Sequence, residues 1–108
     1  MSVPAVWSTK LHAGNVTGGG TFVGVYTVPS GKVLILRTFT VKNLYAGAQD
    51  VYIGLTGVAI IHSLKALALD ESRDWDTWHV FDAGDALSVW PVTGDVSVLL
   101  SGQLLTEP

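Results

Sequence analysis

The stretch VYTVPSGKVLILRTFTVKN, Val25 to Asn43, limits the fold more than any other: two runs of strand-forming residues meet at Pro29-Ser30-Gly31. Proline presets one turn angle and glycine accepts a positive one, so the chain is expected to fold back sharply as a hairpin. FDAGDALSVW, Phe81 to Trp90, repeats the plan with an Asp82-Ala83-Gly84-Asp85 turn and a following strand. Both signals belong to an all-β domain.

The remaining segments extend the pattern. A first strand is expected from about Val3 to Lys10, followed by a long flexible loop, Leu11 to Gly20, because three consecutive glycines offer nothing to pack. A second strand is expected from Thr21 to Val28. In the third, Lys32 to Asn43, alternation places Val33, Ile35, Phe39 and Val41 on the inner face. Leu34 and Leu36 then fall outside, giving a partly apolar outer surface, with Arg37 interrupting the inner set. Asp50 to Leu55 and Val58 to Ser63 are expected to join tightly through Thr56-Gly57. Helix competes briefly at Lys65 to Leu69, although a polar turn at Asp70-Glu71-Ser72 fits better. Strands then follow at Trp75 to Phe81, Ala86 to Val92 and Asp95 to Leu105. Pro91 marks its strand as an edge or a terminus. In the last strand Val96, Val98 and Leu100 point inward, and Ser97, Leu99 and Ser101 outward. About eight short strands at regular spacing imply an antiparallel β-sandwich of jelly-roll type. Residues 1–20 supply an N-terminal strand or arm with its Gly-rich loop, and residues 21–108 the sandwich, as one domain overall.

Charge and composition narrow the function. The chain has 108 residues, 48% hydrophobic and only 14% charged, against about 25% charged in an ordinary soluble domain. A thin sandwich cannot hide all of that apolar material, so a neighbouring subunit is expected to cover part of it. The net charge is −3 and the six basic residues are scattered, which argues against a nucleic-acid partner. No segment reads as a signal peptide or a membrane span, and synthesis in the cytoplasm is expected. The chain has no cysteine, which removes disulfides and thiolate chemistry.

No spacing assembles a reaction. His12, His62 and His79 share no metal-binding interval. Asp70, Glu71, Asp74 and Asp76 lack the loop that calcium sites use and read as a solvated turn. The same carboxylates would need an apolar pocket to act on glycosides. Ser30 is explained by its turn, and Gly18 to Gly20 do not form a phosphate loop. No cofactor and no catalysis are expected. Trp7, Trp75, Trp78 and Trp90 remain, suited to a core, a subunit contact or sugar stacking. Trp75 and Trp78 fall on opposite faces of their strand, so at most one belongs to the core. The interface candidates are Val6, Trp7, Leu34, Leu36, Trp75, Trp90 and Leu99, with residues before Gly18 as a docking arm.

VPSGK at Val28 to Lys32, VKN at Val41 to Asn43, AGD at Ala83 to Asp85 and VSVLLSG at Val96 to Gly102 carry a likeness. The chain resembles small jelly-roll proteins of tailed-phage particles, both capsid decoration (cement) proteins and minor tail proteins. The Gly84-Asp85 turn is also similar to trimeric jelly rolls of the tumour-necrosis-factor-like type. The resemblance spans roughly Tyr26 to Leu105. It implies a homotrimer or similar closed oligomer attached to major capsid or tail proteins in a virion. A carbohydrate-binding module with two coplanar exposed tryptophans is the alternative, and a small cupin-like metalloenzyme, which needs convergent histidines, is a third.

Overall fold

The computed structural model describes residues 9–55 and 59–106. Eight strands form two four-stranded antiparallel sheets: β1 (Thr9–Val16), β2 (Val23–Thr27), β3 (Lys32–Asn43), β4 (Gln49–Leu55), β5 (Ala59–Leu67), β6 (Ser72–Phe81), β7 (Ala86–Pro91) and β8 (Val96–Thr106). Sheet A has the order β1-β8-β3-β6, and sheet B the order β2-β7-β4-β5. The neighbours β4 and β5, β3 and β6, β2 and β7, and β1 and β8 are nested pairs, as if one long hairpin had been rolled up. That is the jelly roll, and the expected β-sandwich of eight strands is the observed architecture.

The Pro29-Ser30-Gly31 signal is a turn, but it does not make a hairpin. β2 pairs with β7 in sheet B, whereas β3 pairs with β6 and β8 in sheet A. The Lys32 N–H donates to the Pro29 carbonyl at 3.2 Å, and Gly31 takes the positive φ of 75° that such a turn requires. The chain therefore crosses from one sheet to the other. The Asp82–Asp85 turn makes the return crossing from β6 to β7, with Gly84 at φ 89°. The two corners are bonded to each other: the Gly84 N–H donates to the Val28 carbonyl and the Val28 N–H to the Asp85 carbonyl, both at 3.0 Å. Two distant sequence motifs are thus halves of one corner.

β3 corrects the inner and outer faces. Leu34 and Leu36 are 0% exposed and lie in the core, together with Phe39 and Val41. Val33 and Ile35 are only partly covered. The cause is a β-bulge. Pairing with β8 runs Leu36↔Gly102 and then Thr38↔Ser101, so Arg37 is one residue too many. An extra residue reverses the two-residue alternation beyond it, and Leu34 and Leu36 thereby join Phe39 and Val41 on one face. Gly102 sits opposite this irregularity, where an added Cβ would collide with the Ile35 carbonyl oxygen.

β1 is the second correction. It covers Thr9–Val16, most of the stretch expected to be loop, and pairs along β8. Val16 is buried and Leu11 packs on the core, giving this strand the inward contacts that the glycine count obscured. Gly18 is not slack either: a Cβ there would strike the Gly94 carbonyl. The expected strand from Val3 lies largely outside the described residues, as does the Thr56-Gly57 connection, although β4 and β5 do pair antiparallel. The segment where helix competed continues β5 to Leu67. Pro91 ends β7, which is an inner strand of sheet B.

A buried polar knot ties one end of the sandwich. Asn43 is 0% exposed and Gln49 3%. The Asn43 amide donates to the carbonyls of Gly47 (2.9 Å) and Leu67 (2.8 Å), and its oxygen accepts from the Tyr45 N–H and the Gln49 amide. Gln49 also donates to the Gly94 carbonyl and accepts from the N–H groups of Thr93 and Gly94. Each buried amide is satisfied, so this network fixes the chain between strands as firmly as a ladder would.

Candidate interaction surface

The outer face of sheet A is built row by row from the register. Ser97, Lys42 and Ser72 form one row, then Leu99, Thr40 and Asp74, then Ser101, Thr38 and Asp76. Beyond the bulge come Gln103, Ile35 and Val80, and then Leu105 with Val33. The rows before the bulge carry small and polar side chains except for Leu99. Those after it are apolar except for Gln103.

Trp78 stands at the boundary and is 64% exposed, with Val80 at 57% and Leu105 at 48%. Bulging aims Arg37 across the face, so that its guanidinium carbon lies 3.5 Å from the centroid of the Trp78 ring. The Arg37 Nε is buried without a hydrogen-bond partner. Next to this pair, the Thr38 hydroxyl donates to Asp76 at 3.2 Å and the Thr40 hydroxyl to Asp74 at 2.7 Å. Neither aspartate has an ion-pair partner among the described residues, where the ion pairs are Lys65 with Asp50 and Arg73 with Glu71.

The outer face of sheet B is organised differently. Trp90 is half-buried between Tyr52 and Phe22, at centroid distances of 5.4 and 5.7 Å. The Lys65 ammonium donates to the Tyr52 hydroxyl at 2.6 Å and lies 3.4 Å from the Asp50 carboxylate. Asp50 also accepts the Ala66 N–H at 2.9 Å, anchoring a residue at φ 52°. That backbone hydrogen bond, more than the lysine, holds the Asp50 carboxyl below its ordinary pKa. The Tyr52 contact raises Lys65. Asp50, Tyr52 and Lys65 are thus engaged with one another, whereas the Trp90 Nε1 is buried without a hydrogen-bond partner.

Along the side of the sandwich, His62 of β5 stacks on Trp75 of β6 at 4.6 Å and 5°. Trp75 is followed by His79 and Phe81 in a continuous aromatic row. Burial pushes the His62 imidazole below its ordinary pKa of 6.5. Glu71 accepts from the Ala68 N–H and from Arg73, and both lower its pKa.

Of the seven interface candidates, Leu34 and Leu36 are core side chains and offer nothing to a neighbour. Trp75 packs on the core and closes the β5–β6 side, while Trp90 belongs to the sheet B cluster. Leu99 is on the outer face of sheet A and 42% exposed. Val6 and Trp7 lie outside the described residues, and a docking arm distinct from β1 could not extend past Ser8. Trp78, singled out with the other tryptophans, is not among the seven, and Val80, Leu105 and Arg37 are absent from the sequence reading of the interface. Counting back by twos from buried Phe81 already separates Trp78 and Val80 from Trp75, but Arg37 gains its place only through the bulge. The two coplanar exposed tryptophans required of a sugar binder are not found among the described residues: Trp75 and Trp90 are half-buried. Among those residues, no three His, Asp or Glu side chains gather as a metal site would require.

No protein-family model matches the sequence, and no curated protein matches it. Among solved structures, the chain is similar to one in the acidic stable capsid structure of Helicobacter pylori bacteriophage KHP30. The TM-score is 0.60 at 11% identity, over 92% of this chain and 97% of that one. At that identity the likeness is one of fold, and it extends over nearly the whole of both chains.

Proposed function

We propose that this chain is a structural protein of a bacteriophage particle, a jelly roll that attaches to the capsid and works by adding contacts. The observation that carries the reading is the near end-to-end fold likeness to a chain from a phage capsid structure. The exposed apolar rows of sheet A support it, since a protein that worked alone in water would gain from polar residues there. In this role the chain needs no cofactor and catalyses nothing. Apolar area buried on its neighbours contributes about 25 cal/mol per Å², less the cost of immobilising each subunit. The proposal puts the chain on the head rather than the tail, because the similar chain comes from a capsid.

Mass spectrometry of purified particles, calibrated against the major capsid protein, tests this. A copy number comparable to that of the capsid protein is expected. A handful of copies would make the chain a minor tail protein, and its absence from particles would reject the proposal.

A further inference from the structure

We propose that the outer face of sheet A is a two-fold contact between two copies of this chain. Trp78, on the edge strand β6, anchors it, and Arg37 of each copy is set against Asp74 and Asp76 of the other. The contact goes beyond the particle reading, and the fold likeness that carries that reading does not depend on it.

Three observations converge. First, the β6–β3 side of the face has the composition of a binding hot spot, with an exposed tryptophan capped by an arginine, apolar Val80 and Ile35 in the next row and Leu105 further along. Second, Arg37, Asp74 and Asp76, like Lys42 in the row next to Asp74, form no ion pair among the described residues, and a two-fold axis would match them. Arg37 has no carboxylate and Asp74 and Asp76 have no cation among the described residues, although all three flank Trp78 on one surface. An isologous contact needs both halves of every interaction on the same patch, and this patch holds them. A partner of single sign would satisfy one half and repel the other, which favours a second copy over an acidic or basic protein. Third, the area suffices. Four strands about 4.8 Å apart and about ten residues long at about 3.3 Å each present roughly 600 Å² in projection. Side-chain relief brings that toward the roughly 800 Å² per partner of a stable interface.

The test measures the mass of the full-length protein by sedimentation across a concentration range. The wild type is expected to be a dimer. Arg37→Glu places like charges opposite each other, as does Asp76→Arg, so each variant alone is expected to raise the dimer dissociation constant at least tenfold. An equimolar mixture of the two is expected to recover the dimer, because both contacts in the mixed pair then join opposite charges. Trp78→Ser, at a position already 64% exposed, is expected to be monomeric with an unchanged circular dichroism spectrum. It decides the matter if either charge variant fails to fold. A wild-type monomer or trimer, a dimer indifferent to Trp78→Ser, or a mixture of folded charge variants that stays monomeric would each overturn the proposal.

Discussion

At Asn43 one side chain serves three segments, joining the β3–β4 connection, the end of β5 and, through Gln49, the β7–β8 turn. Truncation to Ala would leave the Leu67 carbonyl and the Gln49 amide buried with fewer partners, each worth about 1–3 kcal/mol. Asn43→Ala is therefore expected to cost about 3 kcal/mol or more, a large part of the roughly 5–15 kcal/mol that holds a domain folded. Urea unfolding followed by tryptophan fluorescence would read the cost. The double variant with Gln49→Ala should cost less than the sum of the two singles, since both changes break the same network. In the sequence this residue was visible only as the last letter of VKN. Nothing in the strand pattern tells a buried asparagine at a strand end from a solvated one, because its partners lie from 2 to 24 residues away or reach it through Gln49.

Strand β3 shows where pattern reading succeeds and where it must fail. Its bounds, Lys32 to Asn43, were legible because a turn signal precedes it and a long apolar run fills it. Its faces were not, because alternation assumes that every residue advances the pleat, and Arg37 does not. The two leucines assigned to the outside are consequently core, and the arginine that appeared to interrupt the inner set is the bulge itself. Deletions test this at the scale of the element. Removing Arg37 restores strict alternation with Leu34, Leu36, Phe39 and Val41 all on one face, whereas removing Thr40 makes Phe39 and Val41 neighbours and puts them on opposite faces in every register. Deletion of Arg37 is therefore expected to retain cooperative unfolding, as is Arg37→Ala, which should lose at most about 1 kcal/mol with the cation–π contact, while deletion of Thr40 is expected to abolish it. Near-ultraviolet circular dichroism and thermal melts of the three variants check this. An Arg37 deletion that behaved like the Thr40 deletion would show that Arg37 is not the extra residue of the strand.

Across the whole molecule, the strand content was readable from local signals, whereas the sheet partners were not. VPSGK looks like a hairpin because the turn chemistry is the same whether the chain pairs with itself or crosses to another sheet. Only the bonds from Val28 to Gly84 and Asp85 decide between them. The same topology brings β5 and β6, outer strands of different sheets, together at the His62–Trp75 stack. That seam makes stability depend on pH with a definite sign. His62 is held below its ordinary pKa of 6.5 by burial, so as pH falls through that value the unfolded chain takes up a proton before the folded one does. The unfolded state then binds more protons, and stability rises with pH across the window. The contribution is complete above about pH 6.5 and is lost progressively below it, as far down as the folded-state pKa of His62. Asp50 and Glu71, both lowered in the fold, add a second loss beginning near their ordinary values of 3.8 and 4.5. Urea midpoints measured from pH 7.5 down to pH 3.5 should therefore fall in two stages. His62→Gln cannot titrate there, so it should flatten the upper stage and leave the lower one in place. A wild-type midpoint that held steady or rose between pH 7 and pH 5.5 would mean that the β5–β6 seam does not hold His62 neutral.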